Sequence, residues 1–139
     1  MIVGASGSGK SDLALRCLTL APGPLVPEPA VLIADDRVHI DREGAQLRVS
    51  APETILGKLE VRGIGILAVP FRRRADLVLA VELAPAGGVE RLPDPPLSRD
   101  FLGLSLPLLR LSPFEASAAA KLLLALMRAA HGSGKPGEA

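Results

Sequence analysis

Aromatic residues are scarce in this chain of 139 residues, which has three phenylalanines and neither tryptophan nor tyrosine. Aliphatic side chains must therefore fill the core, and the length suits one compact domain. The composition argues against an aromatic platform on which single-stranded nucleic acid would stack. Acidic and basic residues are interspersed, and the formal net charge is only +1. Because duplex DNA is held by concentrated positive charge, we expect no nucleic-acid partner.

Cysteine and long apolar runs are also lacking. Cys17 is the only cysteine, which excludes an internal disulfide and a metal site built from cysteines. Its position in an apolar helical stretch predicts a buried, unreactive thiol. No segment approaches the ~20 apolar residues of a membrane span, and glycines and a lysine interrupt the N-terminus where a secretory signal would be apolar. We therefore expect a cytoplasmic protein with no membrane contact.

Hydrophobic patterns predict alternating strands and helices in the first half of the chain. Residues 1–3 are typical of the end of a buried strand, and residues 11–20 have helical spacing. A strand before such a loop is normally longer, so either this element is shortened or preceding strands lie outside the sequence as given. Residues 31–34 form an apolar run typical of a strand buried on both faces. The turn residues 41–44 between two alternating segments predict a β-hairpin.

The second half of the chain predicts further strands and a final helix. The β-rich runs are 64–69, 77–83 and 106–111, with the arginine cluster 72–74 in a loop and a long loop over 85–96. Ser112 as N-cap, Pro113 at the first helical position and Glu115 predict a helix that continues to about Ala130. We therefore expect one domain over residues 1–130 and a flexible tail over residues 131–139.

The strongest motif follows the first apolar residues and fits G-x-x-x-x-G-K-[ST] at every fixed position. It consists of Gly4, Ala5, Ser6, Gly7, Ser8, Gly9, Lys10 and Ser11. Glycines let the backbone amides approach phosphate oxygens, and the following helix directs its positive end at the anion. Lys10 adds a positive charge, and the Ser11 hydroxyl can bind Mg²⁺. The sequence thus predicts a loop that binds the phosphates of a nucleoside triphosphate.

Two further elements contain residues suited to phosphoryl transfer. Asp35 and Asp36 follow the apolar run at 31–34, where a carboxylate would reach the phosphates or their metal. If that run is a strand, the two side chains point to opposite faces and have different tasks. Glu60 and Arg62 are two residues apart and would share one face of an extended segment. Such a pair could bind hydrated Mg²⁺ and an anionic oxygen, or form a surface ion pair.

Together these elements resemble the catalytic domain of HPr kinase/phosphorylase. The resemblance lies in the loop at 4–11, in Leu-Ile-Ala-Asp-Asp-Arg-Val at 32–38 and in Leu-Glu-Val-Arg-Gly-Ile-Gly-Ile-Leu at 59–67. It covers most of the chain, and the chain looks like the short, single-domain form found in α-proteobacteria. The segment at 60–66 is the most specific part, because a phosphate-binding loop alone fits many unrelated proteins.

The resemblance implies an α/β P-loop fold similar to phosphoenolpyruvate carboxykinase, with a mixed β-sheet and flanking helices. It implies ATP- and Mg²⁺-dependent phosphorylation of a serine on HPr, phosphorolysis of the product, and regulation of the phosphotransferase system and carbon metabolism. Longer members are hexamers, so a homo-oligomer is expected. The site residues that it implies are Asp35 as proton-handling carboxylate, Asp36 as its support, Ser11 and Glu60 at the metal, Arg62 as electrostatic partner, and Arg91 as the phosphate-capturing arginine of a mobile loop.

Two other functions fit the residues. A nucleotide-sensing regulatory module would keep the phosphate-binding loop without catalysis. An unrelated small-molecule kinase would use the same loop on a different acceptor. Phosphate appearing on the serine of an HPr-like protein distinguishes the first interpretation from both of these.

Overall fold

A four-stranded mixed sheet is the centre of the computed structural model, which describes residues 1–132. The helices are α1 (Lys10–Thr19) and α2 (Ala118–Ala130). The strands are β1 (Ile2–Val3), β2 (His39–Glu43), β3 (Gln46–Ser50), β4 (Lys58–Val61), β5 (Gly65–Ala68), β6 (Arg74–Asp76), β7 (Ala80–Leu83), β8 (Ser98–Phe101) and β9 (Leu104–Leu111). Single 3₁₀ turns lie at Glu53–Ile55 and Ala86–Gly88.

The central sheet has the order β1-β7-β9-β8. Strands β1, β7 and β9 are parallel, and β8 is antiparallel to β9. Because parallel strands end at the same edge of a sheet, the loops that follow β1, β7 and β9 lie along one edge. The phosphate-binding loop follows β1, so this edge carries the predicted site. The mixed α/β architecture expected from the sequence is confirmed.

Two antiparallel units flank this sheet. The first has the order β2-β3-β6 and contains the predicted hairpin, whose turn includes Gly44 with a φ of +61°. That positive φ is accessible to glycine at no steric cost. The second unit is the hairpin of β4 and β5. It contains the segment at 60–66 on which the family resemblance rests.

The main core lies between the central sheet and the two helices. Leu13 and Cys17 of α1 pack there against Val81 of β7 and Leu111 of β9. The remaining buried members of this core are Leu79, Ala118, Ala119, Leu122 and Leu123. A second core is formed by Leu47, Val49 and Leu77, with Met1, Ile33, Ile40, Ala75, Phe101, Leu104 and Leu106 packed around it. Cys17 is buried, as the sequence predicted.

The expected strand at 31–34 is wrong. Leu32 forms only an isolated bridge with Phe71, through hydrogen bonds to Pro70 and from Arg72. The partner segment begins at Pro70, which has no N–H to extend the ladder. Val31 is also 39% exposed, so the apolar run is not buried along its whole length.

The expected start of the last helix is also wrong, although its end at Ala130 is confirmed. The helix begins at Ala118, and residues 113–117 form turns instead. The carbonyls of Pro113 and Glu115 accept hydrogen bonds from the Arg16 guanidinium of α1. The Glu115 carbonyl also accepts from the Ala118 N–H at 3.1 Å, a bond over three residues, so the segment before α2 is a tight turn held by Arg16 and not the first turn of the α-helix.

The remaining differences concern short polar strands. Arg74 belongs to β6 rather than to the predicted arginine loop, and β7 begins three residues later than the predicted run at 77. The sequence did not indicate β8, because its residues Ser-Arg-Asp-Phe lack apolar alternation. Within residues 1–132, neither helix is long and apolar enough to cross a membrane. The tail predicted at 131–139 falls outside the described residues from position 133 onward.

Replacing Leu13 by alanine is expected to destabilise the fold strongly. Leu13 is fully buried in the main core, so its truncation removes apolar contacts and leaves a cavity. The free energy of unfolding, measured with urea, should fall by about 2–5 kcal/mol. Leu25→Ala is the matched control because Leu25 is 71% exposed, and its effect should stay within about 0.5 kcal/mol. Similar effects of the two substitutions would contradict the placement of the core.

Cys17 is expected to react slowly with thiol reagents. Burial raises the pKa of its thiol from 9.0 to about 11, although neighbouring Arg16 acts in the opposite direction. Because the thiolate is the reactive form, the reactive fraction at pH 8 should be about 100-fold lower than for an unperturbed thiol. The alkylation rate of the native protein should rise about tenfold per pH unit up to roughly pH 11. Labelling as fast as that of a free thiol peptide would refute the buried position.

Candidate active site

The loop between β1 and α1 folds back on itself at its glycines. Gly7 and Gly9 have φ values of +80° and +100°, which side chains other than glycine rarely adopt. At Gly4 a Cβ atom would lie only 2.7 Å from the Ser8 hydroxyl. The Ser8 N–H closes the turn by donating to the Ala5 carbonyl at 3.1 Å. The motif glycines are thus required by backbone conformation and by close approach.

Lys10 and the start of α1 place positive charge at this loop. The Lys10 ammonium donates to the carbonyls of Gly4 and Ala5, at 2.5 and 3.1 Å. The first helical hydrogen bond runs from the Leu13 N–H to the Gly9 carbonyl, so the three preceding amides have no acceptor within the helix. Amides at a helix N-terminus and a nearby ammonium together attract phosphate oxygens. The geometry therefore fits the predicted phosphate-binding loop.

Asp35 connects this loop to the β4–β5 hairpin. Its Oδ1 accepts a hydrogen bond from the Ser11 hydroxyl at 3.1 Å, and its Oδ2 accepts one from the backbone N–H of Glu60 at 3.0 Å. The carboxylate is half-buried and both of its oxygens are oriented. The structure therefore brings together three of the segments singled out in the sequence, and Asp35 is the residue that links them.

Asp36 has a different position. It lies in a bend rather than a strand, so the alternation expected for two neighbouring strand residues does not apply. Its side chain is exposed and makes no hydrogen bond or ion pair within residues 1–132. A role for Asp36 in supporting Asp35 stays a prediction.

Glu60 and Arg62 do not share a face as expected for an extended segment. Strand β4 ends at Val61, and Arg62 lies in the turn that leads to β5. This turn is closed by a hydrogen bond from the Ile64 N–H to the Val61 carbonyl. Gly63 and Gly65 have positive φ values on either side of Ile64, which bends the backbone sharply at this point. Both charged side chains are exposed, and the pair makes no salt bridge in the described part of the chain.

Arg91 lies away from this cluster. It is exposed in the long loop after β7, which confirms the loop predicted over 85–96. There it borders an open groove lined by residues of β9 and α2 and by none of residues 4–11. The predicted phosphate-capturing role of Arg91 thus requires that the loop approach the phosphates in another conformation.

Three site contacts were not predicted from the sequence. The Glu60 amide that holds Asp35 is a backbone group, which no residue pattern identifies. Arg16 reaches the carbonyls after β9 from helix α1. Arg110 of β9 pairs with Glu82 of β7 at 3.1 Å. The sequence contained a signal for the Arg110–Glu82 pair. Strands β7 and β9 each have one charged residue among apolar ones, and the two charges are opposite.

The cluster has the donors that a small hard cation requires. Mg²⁺ prefers oxygen ligands and commonly binds one or two carboxylates together with substrate phosphates. The Ser11 hydroxyl and the Asp35 carboxylate are such donors and lie in hydrogen-bond contact beside the loop. Within residues 1–132 no group of three or more His, Cys, Asp or Glu side chains is gathered in a metal-binding arrangement.

Removing the Asp35 carboxylate is expected to loosen the link between α1 and β4. Asp35→Ala deletes two hydrogen bonds, so the free energy of unfolding should fall by about 1–2 kcal/mol. Asp36→Ala is the matched control, because the neighbouring side chain is exposed, and it should change stability by less than about 0.5 kcal/mol. Urea unfolding of the two variants beside the unmodified chain provides the comparison. Equal stabilities for the two variants would show that the Asp35 contacts do not form.

The chain is similar to proteins that act on HPr. Residues 1–130 match the family model described as HPr Serine kinase C-terminal domain. A protein named HPr kinase/phosphorylase from Acidovorax sp. (strain JS42) is 37% identical over 116 residues, covering 75% of this chain and 34% of the relative. Its namesake from Bordetella pertussis (strain Tohama I) is 35% identical over 115 residues, covering 75% and 35%. The chain thus spans about one third of the length of these curated relatives.

The fold also matches a solved structure. The Hpr(Ser) kinase/phosphatase from Coxiella burnetii has a TM-score of 0.69 and 24% sequence identity, covering 94% of this chain and 85% of that chain. The likeness confirms the mixed α/β fold. Because the family model extends over nearly all of the described residues, this chain belongs to the family of HPr serine kinase C-terminal domains.

Proposed function

We propose that this chain is the catalytic domain of an ATP- and Mg²⁺-dependent kinase that phosphorylates a serine on an HPr-like phosphocarrier. In the reverse direction it would transfer that phosphoryl group to inorganic phosphate, which releases pyrophosphate and restores the serine. The observation that supports this best is the Ser11–Asp35 hydrogen bond, which places a carboxylate beside the phosphate-binding loop. The names of the relatives supply the acceptor, because a kinase site alone does not specify one.

The residues of the loop would bind the phosphates. Lys10 and the amides at the start of α1 would hold the oxygens of the nucleotide, and Ser11 with Glu60 would help to position the cation. Mg²⁺ would supply charge neutralisation at the transferring phosphoryl group. The Lys10 ammonium already lies over the loop through its bonds to two loop carbonyls, so its charge is directed to this place before any ligand arrives.

Asp35 would handle the proton. In the kinase direction it would accept the proton of the attacking serine hydroxyl, and in the reverse direction it would activate inorganic phosphate. Its two hydrogen bonds fix the orientation of the carboxylate, as positioned general bases require. Asp36 would support this carboxylate, Arg62 would act as an electrostatic partner, and Arg91 would contact the transferring phosphate when its loop approaches.

The proposal includes a cytoplasmic location. It also includes a homo-oligomer, because the longer members that the chain resembles are hexamers. The activity would regulate the sugar phosphotransferase system and carbon metabolism.

Transfer from ATP to a purified HPr-like protein tests the proposal. The chain, radiolabelled ATP and Mg²⁺ should yield label on one serine, located by mass spectrometry. Asp35→Asn keeps an acceptor oxygen but removes the base, so transfer should fall about 100-fold or more while ATP affinity stays within a few-fold. Asp100→Asn is the control, because Asp100 is an exposed carboxylate of β8 and its loss should leave transfer unchanged. Full activity of Asp35→Asn would refute the role of Asp35.

The same preparation distinguishes the other functions. Lys10→Ala should weaken ATP binding, whereas Lys58→Ala, at an exposed lysine of β4, should not. Unchanged ATP affinity in Lys10→Ala would refute the phosphate-binding loop. ATP binding without transfer to the phosphocarrier would favour a nucleotide-sensing module, and transfer to a small hydroxyl compound instead would favour a small-molecule kinase.

A further inference from the structure

The loop after β9 places an aromatic ring beside the phosphate-binding loop. Two ring atoms of Phe114, Cε1 and Cζ, lie 3.5 Å from the position that a Cβ atom would take at Gly9. Strands β1 and β9 are both parallel to β7, so the segments that follow them meet at one edge of the sheet. Ligands of open parallel sheets bind along that edge. Phe114 therefore lies at the edge that carries the phosphate site.

The other two phenylalanines of the chain have packing partners. The ring of Phe71 covers Gly57, where a Cβ atom would lie 2.6 Å from it. Phe101 packs against the second core, and the Arg99 guanidinium lies 5.6 Å from its ring centre. Phe114 belongs to neither core, and 78% of the residue is exposed. Its ring is thus available to a ligand.

The backbone that carries this ring is anchored. The Arg16 guanidinium donates to the carbonyls of Pro113 and Glu115, on either side of Phe114. Pro113 is buried, and the Glu115 carboxylate pairs with the Lys121 ammonium at 2.6 Å. These contacts tie the segment to α1 and to α2, so the ring has a fixed location relative to the loop that binds phosphate.

We infer that Phe114 is the surface on which the base of the bound nucleotide stacks. This inference rests on the proposed function, in which residues 4–11 hold the phosphates of the nucleotide. A nucleoside triphosphate held there must lay its base on the surface next to the loop, and Phe114 presents a flat apolar ring at that place. Stacking uses the π-face that every base possesses. The contact therefore supplies affinity while discriminating little between purines.

Binding measurements on the full chain, with ATP and with inorganic tripolyphosphate as probes, test this role. Phe114→Ala should weaken ATP binding about 5- to 100-fold, and tripolyphosphate binding, which involves no base, should stay within twofold. Phe114→Leu should behave like Phe114→Ala because it keeps apolarity without an aromatic face. Phe114→Trp should bind ATP about as tightly as the unmodified chain, because tryptophan keeps an aromatic face. Leu25→Ala, at another exposed apolar side chain, should change neither affinity.

The two probes separate this inference from the proposal on which it depends. If Phe114→Ala leaves ATP affinity unchanged, or weakens ATP and tripolyphosphate equally, base stacking is refuted while the phosphate site stands. If the unmodified chain binds neither ATP nor tripolyphosphate, the stacking role of Phe114 and the proposed phosphate site are both refuted. Thermal unfolding of each variant shows whether the fold is retained, and we expect it to be, since the ring is outside both cores.

Discussion

The geometry of the candidate site depends on the carboxylate of Asp35. Its two oxygens accept hydrogen bonds from groups that are 24 and 25 residues away in the sequence, on α1 and on β4. No strand ladder joins β4 to β1 or to the segment around Asp35 in the described part of the chain. The orientation of Ser11 relative to the β4–β5 hairpin is therefore fixed by side-chain chemistry more than by backbone pairing.

A second connection acts on the opposite side of α1. Arg16, one turn and a half beyond the loop, bonds to two carbonyls of the segment that joins β9 to α2. It also pairs with Asp12 at 3.0 Å. A guanidinium has several donors in a fixed plane, so one side chain can hold a helix and a loop at once. The helix that carries the phosphate-binding loop is thus positioned from both flanks by polar contacts, with the apolar contacts of Leu13 and Cys17 between them.

The sequence predicted those parts of the fold that depend on local chemistry. The phosphate-binding loop, α1, the hairpin of β2 and β3 and the end of α2 each follow from short-range patterns of glycine, polar turn residues and apolar spacing. The predicted strand at 31–34 was wrong because only Leu32 pairs with the distant segment, at Phe71, and the neighbouring Pro70 has no N–H for a further ladder hydrogen bond. The predicted start of α2 was wrong because Arg16, nearly a hundred residues away, holds the Pro113 and Glu115 carbonyls in a turn before the helix. Both failures are long-range effects that a local pattern does not contain.

The site likewise has parts that a local sequence pattern predicts and parts that depend on contacts between distant residues. Asp35 was placed near the phosphates by its motif and by family resemblance, and the hydrogen bond to Ser11 agrees with that placement. The backbone amide of Glu60 has no residue signature, so its role was invisible in the sequence. Arg91 lies in a long loop whose conformation few local contacts determine, and its approach to the phosphates stays a prediction.

The division of the interior into two cores has a consequence for the site. Ser11 lies on α1, which packs into the main core, whereas Asp35 follows Ile33, which packs against the second core. The 3.1 Å hydrogen bond between their side chains therefore connects a segment that packs on the main core with a segment that packs on the second core. A repacking that shifts one core relative to the other by a fraction of an ångström changes this distance directly, because close-packed interiors are hardly compressible and transmit the shift. Substitutions in either core can therefore alter the geometry of the candidate site without touching Ser11 or Asp35.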